Sequence, residues 1–182
     1  MEVIIMAKFP VSKYPQLEIN RAAFLKNGEI VSQLPLSADF SEENLCFNGM
    51  WVDANKANGE VRPAAEVTAM YGIVYTAEKE PHQLVHGMKH FAQKEGDYPR
   101  VGIMQRGDTF TSNCFDMGEY ESADAIKEAL EAGEAMFIIP VAGSAMPALA
   151  KAAPANGLYG QVIKYYTMPN GEPAIKYNIV RH

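Results

Sequence analysis

Three of the four histidines in this 182-residue chain, His82, His86 and His90, recur at intervals of four. On a helix that spacing puts all three near one face, and imidazoles so arranged are the side chains that bind zinc and similar ions. Distance limits the idea. Eight residues rise about 12 Å along a straight helix, whereas the ligands of one ion lie about 2 Å from it. Two of the histidines, His82 and His86, could share an ion; all three could not. Pro81 and Gly87 weaken the helix itself. Solvated or hydrogen-bonded histidines are the plainer reading, and no metal or other cofactor is expected.

Other reactive types lack the company that chemistry requires. Ser144 stands in Ala142-Gly143-Ser144-Ala145-Met146, without the flanking glycines of a nucleophile elbow. Cys114 lies in Thr111-Ser112-Asn113-Cys114-Phe115, where nothing local lowers a thiol pKa. Cys46 and Cys114 follow no metal or redox spacing and read as isolated buried thiols. No Gly-rich phosphate loop occurs. The acidic pairs Glu42/Glu43 and Glu119/Glu121 sit in polar surroundings and read as solvated faces. Arg106-Gly107-Asp108 spells an adhesion tripeptide, but a hairpin turn explains it more simply. No catalytic, cofactor-binding or metal residue is therefore assigned, and the chain is not expected to be an enzyme.

Composition narrows the partners. Sixteen basic against 22 acidic residues give a net charge of −6, the wrong sign for a binder of phosphate backbones. The longest apolar stretch, 135–150, is interrupted by Pro140, Gly143 and Pro147 and falls short of the roughly 20 residues of a spanning helix. The N-terminus has neither the basic start nor the apolar length of a signal peptide. Neither nucleic acid nor membrane is expected as a partner, and synthesis in the cytoplasm without export is.

The elements that must position these residues are announced by turns. Asn-Gly occurs at 27–28, 48–49, 58–59, 156–157 and 170–171, and this pair accepts the positive φ that tight hairpins demand. The clearest hairpin joins 158–167 to 174–180, with Ile175, Tyr177 and Ile179 on one face and Lys176 and Asn178 on the other. A second runs from Leu45 to about Val67 with a polar tip from Asp53 to Gly59. A third is expected to pair 22–25 with 30–33. Further strands are expected at 70–76, 100–105, 108–115 and 134–141, the last ended by Pro140. One helix is capped by Ser122 and closed by Gly133, with Ala125, Ile126, Ala129 and Leu130 as its apolar stripe. A second is expected over about 81–94. The Ala/Pro/Gly-rich stretch 142–157 reads as a long loop with a helical turn, and the first twenty residues as an extended arm.

The fold class is thus mainly β (α+β): a β-barrel or sandwich-like body of short antiparallel strands, with one or two helices in connections and an extended N-terminal arm. Residues 1–35 form the arm and a hairpin, and 36–182 the body. Nine tyrosines, eight phenylalanines and one tryptophan divide between core and interface in a way that sequence alone does not settle.

Segment order adds a likeness. Phe47-Asn48-Gly49-Met50-Trp51-Val52 is followed by Gly59-Glu60-Val61-Arg62-Pro63-Ala64 and Met70-Tyr71-Gly72-Ile73-Val74-Tyr75-Thr76. Tyr98-Pro99-Arg100-Val101-Gly102-Ile103 then leads to Gly107-Asp108-Thr109-Phe110-Thr111-Ser112-Asn113, and 162–171 and 174–177 close the chain. Over residues 36–182 this resembles the decoration, or cement, proteins of tailed bacteriophages. The resemblance implies a β-rich, non-enzymatic virion protein on the capsid exterior. Its implied partners are the major capsid protein and, within the shell, further copies of itself. It assigns no functional residues. An arm would add hydrophobic anchors such as Phe9, Tyr14 and Leu17. Two other readings stand beside it: another virion part (head fibre, tail or adaptor protein), or a small β-barrel ligand- or metal-binding module using His82 and His86. A β-rich intracellular binding module with no viral role is the third.

Overall fold

In a computed structural model the chain is mainly β, and its described residues form two antiparallel sheets and one α-helix. The structure describes residues 17–23, 29–64, 70–76, 91–168 and 171–181. The larger sheet contains β1 (Leu17–Ala23), β7 (Thr109–Ser112), β8 (Phe137–Val141), β9 (Ser144–Ala150), β10 (Tyr159–Thr167) and β11 (Pro173–Arg181), in the order β1-β7-β11-β10-β8-β9. The smaller contains β2 (Ile30–Val31), β3 (Trp51–Asp53), β4 (Arg62–Pro63), β5 (Tyr71–Val74) and β6 (Val101–Ile103), in the order β2-β6-β5-β3-β4.

The smaller sheet is buried on both faces, which is why its strands read as short continuous apolar runs. Trp51, Tyr71, Ile73, Tyr75 and Met104 face the larger sheet and join Phe110, Ile138, Val162, Ile175, Tyr177 and Ile179 in one core. Val52, Val74, Val101 and Ile103 alternate to the opposite face and pack on Leu36, Phe40, Cys46, Met50 and Val61. This second cover is irregular chain. It is held by main-chain bonds from Leu36 N–H to Asp97 O, Val61 N–H to Pro35 O, and both ways between Cys46 and Gln93. Buried peptide groups must be paired, and inside it Asn48 does this with both ends of its amide. Its Nδ2 donates to Thr76 O and its Oδ1 accepts from Thr76 N–H, at 2.9 and 2.8 Å.

The clearest sequence expectations hold. β10 and β11 pair over their whole length, with Ile175, Tyr177 and Ile179 inward. β3 pairs with β4, and the tip between them is a 3-10 turn over Lys56–Asn58, tied down by the Asp53 carboxylate. The helix α1 (Ala123–Glu131) begins where expected, with Ser122 Oγ accepting the Ala125 N–H, and it buries Ile126 and Ala129.

Four expectations change. Strands β1 and β2 do not form a hairpin: β1 pairs with β7 in one sheet and β2 with β6 in the other. Leu17 is accordingly a core residue rather than an anchor held out for a partner. Residues 144–150 form a strand instead of a loop, paired with β8 on one edge and bridged in parallel on the other by Asp116, whose N–H donates to Pro147 O and whose carbonyl accepts from the Leu149 N–H. Pro140 does not end β8; it occupies the irregularity between Ile139 and Val141, where no ladder N–H is needed. Finally, the turn at Arg106-Gly107-Asp108 carries the chain from β6 to β7, between sheets rather than within a hairpin. The expected helix over 81–94 falls mostly outside the described residues, but its last turn is extended, with Gln93 bridged to Cys46. Most of the expected arm, 1–16, lies outside them too.

Candidate interaction surface

Of the described residues singled out for chemistry, Cys46 and Cys114 share one buried cluster. His82, His86 and His90 lie outside the described residues, and among those described no cluster of three His, Cys, Asp or Glu side chains could hold a metal. Ser144 opens β9, where its Oγ accepts the Met146 N–H at 3.1 Å, a turn-stabilising role. Cys46 and Cys114 are free and buried. Burial pushes the Cys114 thiol up to about 12. It raises Cys46 as well, and the neighbouring Cys114 and Asp97 charges add to that shift. Both are held as unreactive neutral thiols. Glu42 pairs with Lys94, Glu43 is exposed, and Glu119 accepts the Lys151 N–H. In the adhesion-like tripeptide Asp108 is buried and its carboxylate accepts the Gln105 N–H at 2.8 Å. An acid folded inward cannot be displayed to a receptor.

Tertiary structure does sort the tyrosines. Tyr71, Tyr75, Tyr120 and Tyr177 are buried, whereas Tyr159, Tyr165 and Tyr166 are half-buried and Tyr98 is 61% exposed. Two of the half-buried ones belong to a surface. Because β10 alternates, with Gly160 and Val162 inward, Tyr159 and Gln161 point away from the core. Phe137, opposite Gln161, does the same from β8. Phe137 and Tyr159 meet edge to face with ring centroids 5.8 Å apart, an arrangement that favours aromatic pairs. Ile139 continues the patch, and Val141 is 36% exposed at its end.

Gly160 makes this possible. A Cβ there would lie 2.9 Å from Ile138 Cγ2 and 3.0 Å from Tyr177 Cδ2. Its absence lets β10 lie close on the core while its neighbours face out.

Further along the same hairpin the register slips between Val162 and Lys164, and Ile163 in that irregularity is 55% exposed. Lys164 then stands directly across from Lys176. Like charges directly opposite on a sheet are destabilising, and among the described residues neither lysine has a carboxylate partner. The Lys164 ammonium instead lies over the Tyr166 ring, 5.0 Å from its centroid. The outer face of the larger sheet therefore carries an aromatic and aliphatic patch at one end and unpaired positive charge at the other, on a chain of net charge −6. Sequence reasoning lacked this surface because it depends on the β8–β10 pairing, a contact that no local signal announces.

No described helix is long and apolar enough to cross a membrane. No family model matches the chain, and neither the curated proteins nor the solved structures searched contain a match to it.

Proposed function

We propose that the chain is a structural virion protein of a tailed phage, which seats the outer face of its larger sheet on the major capsid protein and reinforces the shell. The observation that carries this reading is the Phe137–Tyr159 pair on a face turned away from the core, bordered by Ile139 and Val141. Aromatic side chains bury large areas at small entropic cost and concentrate binding energy at protein interfaces. The Lys164–Lys176 juxtaposition supports it, since an acidic partner would relieve that repulsion. The likeness in segment order to decoration proteins supplies the partner. Reinforcement follows by linkage: a protein that binds the assembled shell and not its separated subunits stabilises the shell, and many copies multiply a modest contact.

The test is heat release of packaged DNA from capsids with and without the protein. Capsids lacking it are expected to assemble but to lose DNA at lower temperature, and added protein to restore them. Tyr159→Ala or Lys164→Glu is expected to weaken capsid binding by about tenfold or more. Normal heat resistance of the stripped capsids would sink the reading.

A further inference from the structure

The Asn-Gly pairs that punctuate the sequence share one latent reaction. The amide nitrogen of the glycine can attack the side-chain carbonyl carbon of the asparagine. The N–H proton passes to solvent base, the side-chain nitrogen takes up a proton from solvent as its bond to carbon breaks, and ammonia leaves, so that a five-membered succinimide remains. Water then opens either carbonyl of that ring, giving aspartate or isoaspartate. Glycine makes the attack easy because it has no side chain to obstruct the ring. The reaction needs a side chain free to swing and a glycine N–H free to lose its proton.

The fold treats three of these pairs very differently. Asn48 is buried, with both amide atoms bonded to the Thr76 main chain, and the Gly49 N–H donates to Val74 O at 2.7 Å. Nucleophile and electrophile are both immobilised. Asn58 is exposed but half restrained. Its Nδ2 donates to Asp53 at 3.2 Å and the Gly59 N–H to Lys56 O at 3.3 Å, at the end of the 3-10 turn. The nearby Asp53 carboxylate also disfavours the anionic nitrogen. Asn156 is exposed in the connection between β9 and β10. Among the described residues neither its side chain nor the Gly157 N–H has a hydrogen-bond partner.

We propose that Asn156-Gly157 is a self-modification site, where the chain converts its own asparagine to aspartate and isoaspartate, while the fold preserves Asn48 as an amide. Placement gives the reaction a consequence. Two residues after the site β10 begins with Tyr159 of the outer-face patch, and the buried Leu158 lies between them. Conversion adds a carboxylate to this connection, and the isoaspartyl product adds one carbon to the main chain just before the strand. The inference does not depend on the capsid reading.

The experiment is peptide mapping of the intact folded protein during incubation at neutral and mildly alkaline pH, with isoaspartate methylation as a second readout. Asn156 is expected to convert before Asn58 and Asn48, faster at higher pH, with a mass change of one NH exchanged for O. Asn48 is expected to lag by at least about tenfold, since it reacts only after local opening. Asn156→Gln is expected to remove the acidic isoform that arises in the peptide containing residue 156. Conversion of Asn48 as fast as Asn156 would overturn the proposal. So would an unchanged Asn156 over a period in which the same segment converts in the denatured chain.

Discussion

The indole N–H of Trp51 donates to the hydroxyl of Tyr177 at 3.2 Å, with both side chains buried and the two residues 126 positions apart in the chain. This bond crosses from β3 in the smaller sheet to β11 in the larger, and the rings lie 5.9 Å apart. Burial and a partner that donates to its oxygen act on the Tyr177 hydroxyl in opposite senses. Burial prevails, and the phenol is held neutral well above its ordinary range.

Tyr177→Phe keeps the ring packed between Trp51 and Phe110 but leaves the indole N–H buried and unpaired. The expected loss is about 1–3 kcal/mol of unfolding free energy, read from urea denaturation followed by circular dichroism. Trp51→Phe in the same background should cost less than it does alone, because the orphaned donor is then gone.

Asn48→Ala removes the amide that satisfies both main-chain groups of Thr76. A loss of about 1–3 kcal/mol is expected for each group left unpaired. Faster hydrogen exchange at the Thr76 amide would localise the effect. Because Thr76 also accepts the Arg100 N–H and donates to Gln93, protection should fall at Arg100 as well.

Gly118 adopts φ +55, and a Cβ there would lie 2.0 Å from the carbonyl oxygen of Leu149. Gly118→Ala must therefore push the Asp116–Glu119 segment off β9. Its cost is expected to exceed the roughly 1–2 kcal/mol of the left-handed backbone alone. Gly59→Ala, at φ +73 with nothing within 4 Å, is the matched control and should show only the backbone cost. Equal midpoint shifts for the two variants in thermal denaturation would contradict this.

Alkaline stability should fall early. Burial raises Cys114 from an ordinary 9.0 to about 12, and raises Cys46 and Tyr177 too. Above about pH 9 the unfolded chain releases these protons while the folded chain retains them. The unfolded state then binds fewer protons, so unfolding free energy decreases with pH. The contribution is complete below pH 9 and drains away as pH rises through the folded-state values. Denaturation midpoints between pH 8 and 11 check the slope. Thiol reagents should leave both cysteines unmodified in the folded protein at neutral pH.

Elements whose signals are local were legible in the sequence. The β10–β11 hairpin follows from strand-forming residues before an Asn-Gly turn and period-two alternation after it, and α1 from a serine cap, a closing glycine and an apolar stripe. Their hydrogen bonds join near neighbours, so a few residues specify them.

What only the tertiary structure decided is which strand lies beside which. β1 joins β7, β2 joins β6, and the Ala- and Pro-rich 144–150 becomes a strand because β8 pairs with one edge and Asp116 bridges the other. The surface on which Phe137 meets Tyr159 comes from the same long-range pairing. Alternation states which side chains share a face, but one face of a strand offers the same pattern to any partner of suitable length. The choice among partners is made by the packing of the whole core, where Trp51 must reach Tyr177.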